Sequence, residues 1–122
     1  MKKQQTVAVV DDEPDMLAAL KRMLKASGFA AEVFISAEEF LARGLVSEFA
    51  CLILDINLGG ISGIELRRRL ASAGSSVPVI FMTGRDNDVI RREAVDTGCV
   101  AYLTKPFSGH ALIEALASAV GS

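Results

Sequence analysis

Cys51-Leu52-Ile53-Leu54-Asp55 is a short apolar run that stops abruptly on a carboxylate. Val7-Ala8-Val9-Val10 stops in the same way on Asp11 and Asp12, and Val79-Ile80-Phe81-Met82 stops on Thr83. Val100-Ala101-Tyr102-Leu103-Thr104 stops on Lys105. Runs this brief and unalternating are the pattern of parallel strands covered on both faces by helices. In an open parallel sheet the carboxyl ends of the strands share one edge, and ligands bind there. The sequence therefore sends three acids, a hydroxyl and an ammonium to one edge.

Helical patterns fill the intervals. Pro14 suits a first helical turn, where its missing N–H is no loss. Leu17, Leu20, Met23 and Leu24 then recur at helical spacing, so a helix is expected over 14–26 with a stop at Gly28. A strand over Ala31–Ile35 leads into Ser36-Ala37-Glu38-Glu39, a capping-box pattern ahead of Phe40 and Leu41. After the strand Cys51–Leu54 and a Gly-rich turn, Ser62 is placed to cap a helix carrying Ile64, Leu66 and Leu70. Strand Val79–Met82, a more polar helix over 86–96 ending near Gly98, strand Val100–Leu103 and a helix over 108–120 complete the pattern. Alternating strands and helices with right-handed crossovers predict an α/β fold around a parallel sheet.

One domain spanning residues 1–122 is expected, since this length suits a single core. Hydrophobic residues make up 51% and charged residues 23%, which argues against disorder. A net charge of -2 gives no bulk electrostatic case for nucleic acid or an anionic membrane. No stretch approaches the ~20 apolar residues that span a bilayer, and the opening Met-Lys-Lys-Gln-Gln-Thr precedes no secretory apolar region. A cytoplasmic protein is expected on that basis. Cys51 and Cys99 both fall in apolar strand patterns and are expected as buried, reduced thiols.

The converging residues carry a chemistry. Clustered carboxylates repel one another unless a cation shares their site. A hard dication with oxygen ligands resolves this, and Mg2+ (with Mn2+ as a substitute) takes a few carboxylates plus phosphate oxygens. Asp55 then has a second role as nucleophile, because aspartyl phosphates are established covalent intermediates. Lys105 and the metal would neutralise charge on a transferring phosphoryl group. Thr83, followed by Gly84, sets a hydroxyl beside a permissive backbone where a phosphoryl oxygen can sit.

These residues resemble those of response regulator receiver domains in two-component signalling, over essentially the whole chain. Asp11-Asp12 resembles the family's acidic pair, Asp55 its phosphoacceptor, Thr83 its switch hydroxyl and Lys105, in Lys105-Pro106-Phe107, its lysine. Asn57 matches the residue whose backbone carbonyl completes the metal site with Asp11, Asp12 and Asp55, and Tyr102 matches the aromatic switch position. Ile61-Ser62-Gly63-Ile64-Glu65-Leu66 and Pro78-Val79-Ile80-Phe81-Met82-Thr83-Gly84 resemble the FixJ-type subgroup most. The resemblance implies a flavodoxin-like (βα)5 fold with strand order 2-1-3-4-5. It also implies a cis peptide at Lys105-Pro106.

The function so implied is a phosphorylation-activated switch. A sensor histidine kinase or phosphotransfer protein would supply the phosphoryl group. Tyr102 would move with Thr83, and an output domain or downstream protein would read the fourth strand, the helix after it and the fifth strand. Phosphorylation-dependent dimerisation is a further implied outcome, with no nucleic acid or membrane contact by this domain. It would catalyse its own aspartyl phosphorylation and dephosphorylation and no other turnover. An aspartyl phosphatase would offer a second acid two residues past its nucleophile, and Asn57 stands there instead. The alternative is a receiver-like interaction module that is never phosphorylated.

One departure from the family pattern is Leu58-Gly59-Gly60, where Met-Pro or a similar pair is common. Two glycines predict a looser loop beside Asp55. Simpler roles also exist for single residues. Asp11 and Asp12 suit the start of the helix at Pro14 through its dipole. A core aromatic with its hydroxyl at the surface explains Tyr102 nearly as well. His110 is expected to be solvated or locally bonded, and Arg67-Arg68-Arg69 and Arg91-Arg92 to be solvated helix faces.

Overall fold

The computed structural model describes residues 4–121, so residues 1–3 and 122 of the expected domain lie outside the described residues. Its strands are β1 (Thr6–Val10), β2 (Ala30–Phe34), β3 (Cys51–Asp55), β4 (Val79–Thr83) and β5 (Ala101–Thr104). Its helices are α1 (Pro14–Ala26), α2 (Ala37–Arg43), α3 (Gly63–Ser72), α4 (Asp88–Thr97) and α5 (Gly109–Ala119), with a 3-10 turn at Val46–Glu48. The strands form one parallel sheet in the order β2-β1-β3-β4-β5. This is the flavodoxin-like order.

Strand alternation divides the core in two. Val7, Val9, Cys51, Ile53, Ile80 and Met82 pack with Leu17, Leu20 and Leu24 of α1 and Leu112 and Leu116 of α5. Ala8, Val10, Leu52, Leu54, Val79 and Phe81 pack with Phe40 of α2, Leu66 and Leu70 of α3 and Ala94 of α4. Residues of β1, β3 and β4 are almost wholly withdrawn from solvent on both faces, which is why their sequences read as unbroken apolar runs.

Local chemistry sets the element ends, and some differ from expectation. β2 runs one residue earlier than expected: its last ladder bond is from Asp11 N–H to the Phe34 carbonyl, and the Ile35 N–H beyond it donates to Glu39 Oε1 at 3.2 Å. The Ser36 hydroxyl accepts from Glu39 N–H at 3.0 Å, so Glu39 reaches past the cap residue and the reciprocal bond of a capping box is shifted by one. α4 starts at Asp88 because the Asn87 side chain accepts from Ile90 N–H and caps it. Ser62 and Ser108 cap α3 and α5 in the same manner.

Cys51 is buried and its thiol is pushed up to about 12 by burial. Cys99 departs from the expected buried strand position: it is half-buried in the turn before β5. Arg68 and Arg69 are surface residues that pair with Glu93 and Glu65. Arg67 corrects the expectation of a solvated face. Its Nε donates to the Gly98 carbonyl at 3.3 Å, and its Nη1 is buried with no hydrogen-bond partner among the described residues. His110 is exposed and pairs with Glu114 one turn away.

The loop after β3 is tied down, contrary to the looseness expected of two glycines. Glu38 of α2 accepts from Ile61 N–H at 3.2 Å, and Leu58 is buried. Gly60 has φ +85, a left-handed conformation that suits glycine, and a Cβ there would meet Glu38 Oε2 at 2.8 Å.

Candidate functional site

Asp11, Asp55 and Thr83 are buried polar residues, at 0%, 2% and 0% exposure, and all three stand at the carboxyl edge of the sheet. The two aspartates are held alike. Asp11 Oδ1 accepts from Glu13 N–H at 2.8 Å, and Asp55 Oδ1 accepts from Asn57 N–H at 3.0 Å. Their other oxygens share Lys105, whose Nζ lies 2.8 Å from Asp11 Oδ2 and 3.2 Å from Asp55 Oδ2. Asp11 thus steadies the approach to α1 and shares Lys105 with Asp55 as well, so the simple helix-start role is only half of its work.

Asp55 is held above the usual carboxylate value of 3.8. Burial is the main cause and Asp11 adds repulsion, while the Asn57 N–H and Lys105 pull the other way. For Lys105, burial pulls downward, but the Asp11 hydrogen bond and the charges of Asp55 and Asp11 outweigh it and hold the ammonium above its usual value. Both shifts describe a dry site with more negative charge than one cation answers.

Oxygens of Asp11, Asp12, Glu13 and Asp55 lie within 4.8 Å of one another. Asp12 and Glu13 are exposed and Asp11 and Asp55 buried, so one side of the cluster is open to solvent. A set of carboxylate oxygens with room for waters suits a hard dication such as Mg2+. Beside it a cavity of about 260 Å³ is lined by Asp12, Glu13, Asp55, Asn57, Gly84, Arg85 and Lys105. Larger hollows lie away from these acids, one of them walled by Val46, Phe49, Leu70 and Pro78. Thr83 Oγ1 donates to the Asn57 side-chain oxygen at 2.5 Å and accepts from Arg85 N–H at 3.0 Å. The Lys105–Pro106 peptide is cis.

Residues 7–117 match the family model of the response regulator receiver domain. The chain belongs to that family. FixJ of Azorhizobium caulinodans, a transcriptional regulatory protein, is 35% identical over 115 residues, covering 94% of this receiver domain and 54% of FixJ. The response regulator protein TodT of Pseudomonas putida is 32% identical over 114 residues, covering 93% of this chain and 50% of TodT. The receiver domain thus spans about half the length of the curated relatives it matches. Among solved structures, FixJ-N superposes with a TM-score of 0.87 at 34% identity, covering 98% of this chain and 96% of that one. The response regulator StyR gives 0.90 at 32% identity over 98% of this chain and 60% of its own. These likenesses make it a receiver domain of the FixJ type.

The receiver fold brings Asp11, Asp12, Asp55, Asn57, Thr83 and Lys105 together at the carboxyl edge of the sheet, with Asp12, Asp55, Asn57 and Lys105 lining the cavity and Asp11 and Thr83 buried behind them. Tyr102 does not join them. It packs beside the α2–α4 core, and its hydroxyl donates to Asp86 Oδ1 at 2.9 Å, outside the acid pocket. Its phenol is pushed up to about 12 by burial and by Asp86. Sequence reasoning missed three features of the site. Glu13 joins the acids, with Oε1 3.4 Å from Lys105 Nζ; its place directly after Asp12 was the available signal. The Asn57 side chain, and not only its backbone, engages the site through Thr83. Gly63 packs against the backbone of Asp55, and it appeared in sequence only as part of a resembling motif.

The raised carboxyl of Asp55 predicts a stability effect. In metal-free buffer at neutral pH, Asp55→Asn is expected to be more stable than the parent, because it removes the cost of ionising a buried carboxyl. A group whose native value lies above its unfolded one loses stability as pH rises through the native value. Below the ordinary 3.8, folded and unfolded parent are both protonated, and the difference should vanish. Thermal melts at neutral and strongly acid pH measure this, and a variant no more stable than the parent at neutral pH would refute it.

Proposed function

We propose that this receiver domain is a phosphorylation switch whose acceptor is Asp55. The observation that carries this reading is the buried Asp55 carboxylate, raised by burial and held by Lys105 in an acidic cluster whose Asp12 and Glu13 side is open to solvent. Asp12, Asp55 and the Asn57 carbonyl would hold Mg2+, with Asp11 acting partly through water. The ion, when bound, supplies positive charge against the phosphoryl oxygens.

An Asp55 carboxylate oxygen attacks the phosphorus of a phosphohistidine on a kinase or phosphotransfer protein. A P–O bond forms, the P–N bond breaks, and its electron pair leaves on the imidazole nitrogen, which takes up a proton. Lys105 stays protonated beside the new acyl phosphate and offsets its charge. The Thr83 hydroxyl then exchanges its Asn57 acceptor for a phosphoryl oxygen. The signal passes to an output domain or downstream protein through the face of β4, α4 and β5. The domain promotes its own phosphorylation and dephosphorylation in a cytoplasmic setting and performs no other turnover.

Intact-protein mass after incubation with acetyl phosphate and Mg2+ tests the proposal. One phosphoryl adduct is expected on the parent and none on Asp55→Asn or in the presence of a chelator. No adduct on the parent at any metal concentration would favour an interaction module that works unphosphorylated.

A further inference from the structure

A path of polar contacts leaves the acid pocket and ends on the surface of α4. It starts at the Asn57 side chain, passes through the Thr83 hydroxyl and reaches the N–H of Arg85. The next residue, Asp86, lies outside α4 because Asn87 supplies the cap. Asp86 holds two partners at once. Its Oδ1 accepts from the Tyr102 hydroxyl at 2.9 Å, and its Oδ2 accepts from Arg91 Nη2 at 2.7 Å. Arg91 closes the triangle, its guanidinium carbon 4.6 Å from the centre of the Tyr102 ring.

We propose that Asp86 and Arg91 are positioning residues that latch Tyr102 beside α4 while the Thr83 hydroxyl rests on Asn57, and that a phosphoryl group at Asp55 releases this latch. The inference rests on Asp55 being the acceptor. A threonine hydroxyl has a single proton, so Thr83 cannot donate to Asn57 and to a phosphoryl oxygen together. Moving that bond shifts the oxygen to which Arg85 N–H is tied, and Asp86 follows Arg85 directly in the chain. Tyr102 is held by its hydroxyl and through its ring face, and both ties depend on Asp86, directly or through Arg91. Ring position and Thr83 position are therefore linked, and such linkage is reciprocal. Loosening the ring must help the pocket to bind its anion.

Tyr102 is the sole tyrosine and the chain has no tryptophan, so tyrosine emission reports this side chain alone. A carboxylate acceptor quenches a phenol, so Asp86→Ala should raise the emission of the unmodified protein. Beryllofluoride with Mg2+, standing in for the phosphoryl group, should raise the parent's emission in the same direction. By calorimetry, Asp86→Ala should bind beryllofluoride about fivefold more tightly than the parent, a coupling at the low end of the usual range. Asp86→Asn keeps an acceptor for the phenol but loses the charge for Arg91, and it should fall between the two. In a Tyr102→Phe background, Asp86→Ala should change nothing. Emission that ignores Asp86→Ala, or tighter binding that persists without the Tyr102 hydroxyl, overturns the latch and leaves the Asp55 chemistry intact. A parent that binds no beryllofluoride, with emission that still answers to Asp86→Ala, overturns the phosphoacceptor reading and the coupling with it.

Discussion

Gly63→Ala is expected to destabilise the fold by about 3 kcal/mol and to lower its melting temperature by roughly 10 °C. A Cβ at this position would stand 2.3 Å from the Asp55 carbonyl oxygen, 2.9 Å from its carbon and 3.1 Å from Ile56 Cα. These are backbone atoms of a buried strand end, so no side chain can swing aside. The N–H of Gly63 also donates to the Ile56 carbonyl at 3.2 Å, which fixes the first turn of α3 against the acceptor. Alanine in a helix ordinarily stabilises relative to glycine by up to about 1 kcal/mol. The sign of the change therefore decides between the two effects. A variant that melts with the parent or above it would show that α3 can back away from Asp55 at no cost. If the variant folds, slower adduct formation should accompany its lower stability, because relief of the clash has to move Asp55 or α3.

The second large effect concerns Lys105. Its ammonium is mostly buried between two carboxylates that have little other cationic company. Lys105→Met keeps most of the apolar stem and removes the charge, which leaves Asp11 and Asp55 facing each other in a dry pocket. At neutral pH with a chelator present, the loss is expected to be about 3 kcal/mol, the lower end for breaking a buried pair. The lysine's own contribution is present below its ordinary 10.5 and is lost only as pH rises through its higher folded value. The variant's penalty instead follows the carboxylates: it is full while they are ionised and shrinks as acid protonates Asp55. Added Mg2+ should also recover part of the loss, since a ligand that binds only the folded state stabilises it. Denaturant titrations with and without Mg2+, at neutral and acid pH, measure all three statements. A penalty that is the same in every buffer would mean that Lys105 acts through packing alone.

Most of this arrangement was legible in the sequence because the fold and the site use the same signal. A parallel strand buried on both faces is an apolar run, and the residue that ends the run stands at the edge where ligands bind. Asp11, Asp55, Thr83 and Lys105 could thus be placed together without any knowledge of strand order. The strand order itself came from resemblance, since period alone does not rank neighbours in a sheet. Contacts between side chains far apart in the chain were out of reach for a different reason. The pattern places Asp86 inside the helix, and Asn87 takes the cap instead, which leaves Asp86 outside α4 to hold Tyr102. Glu38 steadying the Gly59-Gly60 loop depends on α2 lying beside it, a fact of three-dimensional packing. Arg67 turned inward for a similar reason, having found the carbonyl at the end of α4.

The alternation that divides the core continues past the strand ends. Asp11, Asp55 and Lys105 keep step with Val9, Ile53 and Leu103, which belong to the α1/α5 side. Thr83 keeps step with Phe81, and Tyr102 lies with the α2–α4 side. The groups that would bear the incoming charge and the pair that would answer it therefore belong to opposite faces of one sheet. The sheet interior, with its two separate apolar layers, is an insulator between them. A message from one face to the other has to go around the rim, where Asn57 meets Thr83. The Thr83 hydroxyl is the group that trades one acceptor for the other, so one substitution that removes it should disconnect two halves that each remain well folded.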